Sequence, residues 1–443
     1  MTASIPLPEP LDQGLSQAAA ILAATPGGVL SLTEKCLARI AALDEALGCM
    51  VQLDVDGALV RAAELDQVSG TAQHGPLHGI PIVIKEIFSV DGYPDSNGSR
   101  LATPELFAAE SSLVGRLRAA GCVVLGRTLS TEFALGQFNI SKRMPINPRD
   151  TEVARVTGGS SSGSAAAVAT DYCGFALGTD TGGSVRAPAA FCGVTGFKPS
   201  AGVWPTDGIF PLSARLDCPG VFTRTAADAA YIYNLLTGGA DDAGRPGSRR
   251  IGIPEEFFFA DCDAGVAAAV EQALKNIAAA GYELVPLTLP SMEPVAHYYA
   301  TALTGELLRT IGGERYQAGR EMLDPLTRTR LDAAAEIADQ PGVSELDRLI
   351  EATERCLAEA DVSVWLSPTV PCVAPPEAEL GDPDAVVAFQ ARASRNTRCI
   401  SALNMAAISL PLPANLPVGL QLAAPAGNEA MVLQVASELE ACL

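Results

Sequence analysis

Residues 178–193 read GTDTGGSVRAPAAFCG, and in this stretch a serine, Ser184, directly follows two glycines. The apolar run at 173–177 predicts a strand that leads into a turn. Gly182 and Gly183 can adopt backbone conformations that other residues rarely adopt, so successive N–H groups of the turn can converge on an anion. Acyl transfer requires such a pairing of a nucleophile with an oxyanion hole. The competing interpretation is an ordinary flexible turn.

A second glycine–serine segment, GGSSSGSAAAVA, occupies residues 158–169. It falls largely within residues 140–165, which are rich in Gly, Ser, Pro and Asn and show little regular pattern. Apolar structure resumes on both sides, which favours a functional loop over a linker. The alanine-rich end of the segment is equally compatible with a helix that begins at a turn of small residues.

A nucleophilic serine needs a base, and the chain contains only three histidines. His74 and His78 fall in a Gly/Pro-rich turn, and His297 falls in a predicted helix without an identifiable partner. Lys85, in the stretch GIPIVIKEIF at 79–88, is the more attractive base because burial lowers the pKa of an amine. The alternative is a lysine at a strand edge whose ammonium group reaches water.

The composition favours a globular protein and argues against several other classes. The chain has 443 residues, of which 48% are hydrophobic and 18% charged, and its formal net charge is −21. This charge argues against a nucleic-acid or membrane partner, which would call for a basic patch. The eleven cysteines show no CxxC pair or zinc-ligand spacing, so we expect neither a metal nor an organic cofactor. No signal peptide or bilayer-length apolar run is evident, so we expect a cytoplasmic location.

Alternating strand-like and helix-like segments predict an α/β layered fold. The predicted strands are residues 80–84, 122–126, 173–177, 283–289, 362–366, 407–410 and 418–422. The predicted helices include 14–48 (interrupted by PGG at 26–28), 112–120, 263–281, 320–361 and 429–440. Ser31 or Thr33 is expected to cap the helix after the PGG turn. We expect one domain over residues 1–443, with a helical region at 1–75 packed on it and a peripheral helical part at 290–361.

The lysine run and the two glycine–serine segments, in this order, resemble the amidase signature family. The resemblance continues through GFKPSAGVWPTDGIFPLSARLDCPGVFTRTAADAA at 196–230 and LPVGLQLAAPAGNEAMVLQVASELE at 416–440, so it covers nearly the whole chain. It implies an amidohydrolase acting on carbon–nitrogen bonds other than peptide bonds. The implied fold is a single large α/β/α domain in which helices cover both faces of a mixed, mostly central β-sheet.

The resemblance also implies a Ser–Ser–Lys triad formed by Ser184, Ser160 and Lys85, with Ser160 in a cis peptide. Neutral Lys85 would accept a proton from Ser160, and Ser160 would take one from Ser184 as Ser184 attacks the amide carbon. Ser160 would then protonate the leaving amine, and water would release the acid.

Further residues of the turn receive roles from the same resemblance. The implied oxyanion hole is formed by the backbone N–H groups of Thr181, Gly182, Gly183 and Ser184. Asp180, Arg186 and Ser161 are implied to support the turn, with surface charge as the alternative for the first two.

The resemblance implies that segments 131–143 and 303–318 line the acyl pocket. They offer the side chains Phe133, Gln137, Phe138 and Tyr316, of which Phe133 and Gln137 are the expected substrate-binding residues. This mixture suits neither a long lipid chain nor a clearly charged group, so we expect a small amide or ureide substrate.

Three other interpretations stay open. Residues 159–163 formally match G-x-S-x-G, which would make Ser161 the nucleophile of an α/β-hydrolase-type esterase, although the preceding segment is a poor strand and only His297 could serve as base. A nucleotide-binding module is disfavoured because no G-K-[ST] follows either glycine run. The chain could instead be the amidase component of a multi-subunit assembly such as a glutamyl-tRNA amidotransferase, and a homodimer is also considered.

Overall fold

The computed structural model describes residues 8–107, 109–239, 249–335 and 343–443. The strands, in chain order, are β1 Met50–Leu53, β2 Pro81–Lys85, β3 Val123–Thr128, β4 Phe175–Thr179, β5 Thr195–Lys198, β6 Pro219–Thr223, β7 Arg250–Ile253, β8 Glu283–Pro286, β9 Trp365–Pro368, β10 Ala406–Leu412 and β11 Val418–Ala424. The α-helices are α1 Leu15–Ala24, α2 Gly28–Leu47, α3 Val55–Asp66, α4 Ser112–Ala119, α5 Ser162–Ala169, α6 Arg186–Cys192, α7 Ala226–Thr237, α8 Glu255–Phe258, α9 Ala264–Ala279, α10 Glu293–Ile311, α11 Gly313–Gly319, α12 Pro325–Ala335, α13 Val343–Glu359, α14 Pro383–Ala393, α15 Arg395–Ala402 and α16 Glu429–Glu440. Parts of the predicted helical regions 1–75 and 320–361 lie outside the described residues, at 1–7 and 336–342.

In the described ranges the strands form one mixed sheet of eleven strands, in the order β1-β3-β2-β4-β6-β5-β10-β11-β9-β7-β8. The pairs β2–β3, β2–β4, β7–β8 and β7–β9 are parallel, and the remaining pairs are antiparallel. Every residue of the central strands β2, β4, β5, β6 and β11 is buried. Because successive side chains of a strand point to opposite faces, both faces of the sheet must be covered. The predicted α/β fold with helices on both faces is confirmed.

The N-terminal region is not purely helical, which corrects the prediction for residues 1–75. β1 pairs antiparallel with β3 and forms one edge of the sheet. The predicted cap of the second helix is also wrong, because α2 begins at Gly28. The carboxylate of Asp66 at the end of α3 instead accepts hydrogen bonds from Val29 N (3.0 Å) and Leu30 N (2.9 Å). A capping group from a distant helix leaves no local sequence signal.

The register of β2 and β4 positions the candidate site. β4 spans Phe175–Thr179, two residues later than predicted, and pairs in parallel with β2 through Ile84 and Leu177. The carboxyl ends of parallel neighbours meet at the same edge of a sheet, and here those ends carry Lys85 and Thr179.

The eleven cysteines are all unpaired thiols, and eight of them are buried. Burial raises the pKa of thiols such as Cys36 and Cys192 to about 12, so these two behave as small apolar side chains. Among the described helices, none combines the length and the apolarity needed to cross a membrane.

Candidate active site

Lys85 ends β2 inside the protein, with no exposed surface. Its Nζ donates hydrogen bonds to Ser160 Oγ (2.7 Å) and Thr179 Oγ1 (2.8 Å). Burial lowers the pKa of Lys85 to about 7, against the opposing effects of Asp217, Asp180 and Glu86, which raise it. The interpretation as a strand-edge lysine that reaches water is therefore wrong.

Ser160 lies in a tight turn before α5, and the Gly159–Ser160 peptide bond is cis. The turn is fixed from outside because Gly159 N donates to Gln137 Oε1 (2.9 Å) and Thr131 N donates to Ser160 O (3.1 Å). These contacts hold Ser160 Oγ where it meets Lys85.

Ser161 is the N-cap residue of α5 and connects the turn to the end of β4. Its Oγ donates to Thr179 O (3.2 Å) and accepts from Thr179 N (3.3 Å). The Ser161 hydroxyl thus bonds the backbone of Thr179, the residue whose side chain accepts a hydrogen bond from Lys85.

Ser184 follows the turn after β4 and lines the main cavity of the site, with 8% of its surface exposed. Ser161 N donates to Ser184 O (3.3 Å), which joins the two serine segments through their backbones. Within the described residues, the hydroxyls of Ser160 and Ser184 share no direct hydrogen bond. The structure therefore brings Lys85 and Ser160 into contact and joins the Ser184 turn to the segment that carries Ser160.

A buried ion pair fixes the shape of the turn. Arg186 donates to Asp180 through Nε (3.0 Å to Oδ2) and Nη2 (2.9 Å to Oδ1), and neither side chain is exposed. Burial alone would raise the pKa of Asp180, but Arg186 lowers it to about 2. Arg186 also donates to Gln421 Oε1 (2.6 Å) and Ser401 Oγ (2.7 Å). The alternative of surface charge for Asp180 and Arg186 is wrong.

The two glycines of the turn are needed for different reasons. Gly183 has a φ of 120°, and a Cβ there would lie 2.0 Å from Thr397 Oγ1. Gly182 does not adopt the left-handed region, but a Cβ there would lie 2.9 Å from the ring of Tyr299. Gly183 is thus required by conformation and by space, and Gly182 by space.

The expected oxyanion hole needs one correction. Gly183 N donates to Asp180 Oδ1 (2.7 Å), so its hydrogen is already engaged. The N–H groups of Thr181, Gly182 and Ser184 have no acceptor in the part of the chain that the structure describes. These three donors remain available to an anion at the turn.

Sequence reasoning missed a second carboxyl group beside the turn. Asp217 accepts hydrogen bonds from Thr181 Oγ1 (2.6 Å) and from the backbone of Leu212 (2.8 Å) and Ser213 (2.9 Å). Burial raises its pKa to about 6, against these hydrogen bonds, which lower it. The sequence offers no signal for this group beyond an aspartate in an irregular segment.

A cavity of about 380 Å³ opens onto Ser184, Gly182 and Thr181 and is also lined by Gln137. Phe133 does not line it, against expectation: its buried ring stacks on Phe210 with centroids 5.4 Å apart. The predicted pocket residues Phe138 and Tyr316 are not among its lining residues either; Tyr316 is buried and donates to Asp332.

The cavity also holds two arginines that lie outside the predicted pocket segments: Arg330 from α12 and Arg398 from α15. The Cζ atom of Arg398 lies 5.1 Å from the ring centroid of Tyr299, and Tyr299 Oη donates to Thr181 O (2.7 Å). The expectation of a pocket without a clear charge is therefore wrong.

The other candidate bases are not at the site. His297 is exposed on α10, and His78 shares a hydrogen bond with Ser69 Oγ (3.0 Å). No strand directly precedes Ser161 in the described chain, as a nucleophile elbow would require. The α/β-hydrolase interpretation thus finds neither its strand nor its histidine. Across the described ranges, no group of three or more His, Cys, Asp or Glu side chains is arranged to hold a metal ion.

Comparison with known proteins identifies the family. The profile of the Amidase family matches residues 31–433. The chain belongs to the amidase family. It is 34% identical over 433 residues to the 2-amino-5-chloromuconic acid deaminase of Comamonas testosteroni, covering 94% of this chain and 92% of the relative. It is also 34% identical over 456 residues to a glutamyl-tRNA(Gln) amidotransferase subunit of Thioalkalivibrio sulfidiphilus (strain HL-EbGR7), covering 93% of each.

The fold agrees with solved members of the family. A crystal structure of an amidase superimposes with a TM-score of 0.84 at 30% identity, covering 97% of this chain and 100% of the other. The resemblance to the amidase signature family and the predicted enzyme class are confirmed. This member of the amidase family is an enzyme that acts on carbon–nitrogen bonds other than peptide bonds.

Proposed function

We propose that this amidase hydrolyses the C–N bond of a small amide or ureide through an acyl-enzyme on Ser184, with Ser160 and Lys85 as the proton relay. The observation that carries the proposal is the 2.7 Å hydrogen bond between Lys85 Nζ and Ser160 Oγ at a fully buried position. An amine with a pKa of about 7 is neutral in half of the molecules at that pH, near the best value for a general base.

The first half of the reaction forms the acyl-enzyme. Ser184 Oγ attacks the amide carbon and gives its proton to Ser160, which passes its own proton to Lys85 Nζ. Serine is suited to the bridging position because one hydroxyl can donate and accept at once. The contact between the two hydroxyls would form when substrate is bound, since catalytic hydrogen bonds are often long without substrate. Lys85 then returns a proton through Ser160 to the leaving nitrogen, and the C–N bond breaks.

The second half releases the acid. Water attacks the ester carbon of the acyl-enzyme, its proton passes to Ser160 and Lys85, and Ser184 Oγ leaves with a proton. In both halves the negative oxygen would be held by the N–H groups of Thr181, Gly182 and Ser184. Removing one such preorganised donor typically costs about 3–4 kcal/mol of transition-state stabilisation.

The chain could act alone or within an assembly. The similarity to an amidotransferase component supports dependence on partner subunits as the alternative. A homodimer, a cytoplasmic location and a single domain over residues 1–443 stay predictions. Size-exclusion chromatography with light scattering would test whether the protein is a homodimer.

The test is an ammonia-release assay on the purified single chain with a panel of aliphatic, aromatic and ureide amides. We expect turnover of at least one small amide by the wild type and none by Ser184→Ala. Turnover that appears only after partner subunits are added would favour the assembly. Unchanged turnover in Ser184→Ala would contradict the proposed nucleophile.

A further inference from the structure

Two arginines, Arg330 and Arg398, line the cavity of Ser184. Neither Arg330 nor Arg398 is within ion-pair distance of a carboxylate in the described parts of the chain. Arg330 Nη2 donates to the amide oxygen Gln390 Oε1 (2.7 Å), and Arg398 lies over the ring of Tyr299. Both residues line the same cavity, and each is only partly exposed.

Unpaired like charges in a partly buried cavity are unfavourable unless an anion binds there. Burial and, to a smaller extent, the nearby charge of Arg398 together lower the pKa of Arg330 to about 10, against the opposing effect of Asp324. Asp324 is occupied elsewhere: its Oδ2 accepts from the backbone N–H groups of Ile140 and Ser141, both at 2.8 Å. The cavity therefore keeps an excess of positive charge next to Ser184.

The contacts of the two arginines connect each of them to one serine segment. Arg398 packs on Tyr299, whose hydroxyl bonds the backbone of the Ser184 turn at Thr181. The neighbouring Thr397 Oγ1 donates to Gly182 O (2.9 Å) in the same turn. Arg398 is thus fixed relative to the nucleophile.

Arg330 is connected to the other serine segment. Gln390 Oε1, which accepts from Arg330, also accepts from Gln137 N (3.3 Å). Gln137 Oε1 in turn accepts from Gly159 N (2.9 Å), next to Ser160. Both cations therefore hold set positions with respect to the reacting groups, as a specificity site requires.

We propose that the substrate of this amidase is an amide that also carries a carboxylate, and that Arg330 and Arg398 bind this carboxylate while the amide carbon lies at Ser184. The proposal rests on the amidohydrolase function given above. A guanidinium group matches the planar geometry of a carboxylate and forms paired, charge-assisted hydrogen bonds with it. A cavity of about 380 Å³ is at the small end of ligand sites, so a short monoamide of a dicarboxylic acid fits better than a long chain. Cleavage of its C–N bond by water would give the dicarboxylate and ammonia.

The experiment compares a charged substrate with a neutral one of equal length, succinamate against butyramide, in four proteins: wild type, Arg330→Gln, Arg398→Gln and Arg328→Gln. Arg328 is the control because it is on the same helix as Arg330 but pairs with Glu321 and does not line the cavity. Arg398→Lys is added to retain the charge, and circular dichroism checks that every variant is folded.

We expect the wild type to prefer succinamate in kcat/KM by at least roughly tenfold, since hydrogen bonds to charged groups contribute about 1.5–3 kcal/mol. Arg330→Gln and Arg398→Gln should lower kcat/KM for succinamate roughly 10- to 100-fold, mainly through KM, and change the value for butyramide little. Arg398→Lys should recover part of the loss, and Arg328→Gln should match the wild type. Equal losses for both substrates, or a wild-type preference for butyramide, would overturn the proposal.

A binding measurement separates this proposal from the proposed chemistry. Malonate, succinate and glutarate are titrated by calorimetry into Ser184→Ala protein, with and without Arg398→Gln. Binding that is lost with Arg398→Gln would support the carboxylate site even if neither amide is hydrolysed. Absence of binding by all three dicarboxylates at millimolar concentration, or binding unchanged by Arg398→Gln, would refute it.

Discussion

Lys85 Nζ and Ser160 Oγ are joined by a 2.7 Å hydrogen bond at a position where neither side chain is exposed. The bond connects the end of β2 to a turn that leads into α5, 75 residues later in the chain. Thr179 Oγ1 accepts the second hydrogen bond of the amine at 2.8 Å. A buried amine can deprotonate near neutrality because burial disfavours its charged form. Since Lys85 Nζ is bonded to two hydroxyl groups and has no exposed surface, it exchanges its proton through these hydroxyls.

The activity should rise with pH through one ionisation near 7 and then reach a plateau. The active form of Lys85 is the neutral amine, and burial lowers the pKa of this group to about 7. Protonation below that value removes the base, and no further proton must be lost above it. The measurement is kcat/KM against pH for a neutral amide, which reports the ionisation of the free enzyme. A profile that falls as the pH rises through 7 would contradict the assignment.

Replacing Lys85 by arginine should be nearly as damaging as replacing it by alanine. Arginine keeps the positive charge but does not deprotonate in proteins, so Lys85→Arg cannot accept the proton of Ser160. We expect kcat to fall roughly 10²- to 10⁴-fold in both variants, the usual contribution of general base catalysis. Lys275→Arg is the control because Lys275 is exposed and pairs with Glu271 on α9. Substantial activity in Lys85→Arg would mean that the lysine acts through its charge.

Ser184→Ala should abolish acyl transfer, and Ser161→Ala should not. Added hydroxylamine should divert the acyl group of the wild type to a hydroxamate, and mass spectrometry should find the acyl group on Ser184. Ser161→Ala leaves Thr179 N without its side-chain acceptor, which costs about 1–3 kcal/mol of stability but retains the nucleophile. Hydroxamate formed by Ser184→Ala, or lost only in Ser161→Ala, would contradict Ser184 as the nucleophile and point to Ser161 instead.

Asp180→Asn should destabilise the fold as well as the turn. Removing one charge of a buried ion pair leaves the other uncompensated, and such changes cost about 3–5 kcal/mol. Arg186 would keep its bonds to Gln421 and Ser401 but lose its anionic partner. The free energy of unfolding from urea denaturation measures the effect. Arg155→Gln, which breaks the partly exposed pair with Asp150, should cost about 1 kcal/mol or less. If Asp180→Asn and Arg155→Gln lost the same free energy of unfolding, burial of the Asp180–Arg186 pair would not be the reason for its contribution to stability.

The sequence by itself determined the family, the α/β fold and the proposed triad of Lys85, Ser160 and Ser184. These features depend on local patterns: short apolar runs that form buried strands, and glycine–serine turns at their ends. Side-chain chemistry also narrowed the choice of catalytic base. Lys85 stood in an apolar run, where burial lowers the pKa of an amine, whereas the three histidines had no identifiable partner. Strand boundaries were less well determined, and the two-residue shift of β4 hid the role of Thr179 as a partner of Lys85.

The tertiary structure decided which groups surround the triad. It showed that Gly183 N is engaged by Asp180, that Phe133 is part of the core and that Asp217 lies beside the turn. It also brought Arg330 and Arg398 into one cavity from helices that are separate in the chain. The physical reason is that periodicity records which face of an element is buried, whereas a contact between distant elements depends on how the sheet and its helices pack. An arginine on a helix has the same local pattern whether it faces solvent or a cavity beside Ser184.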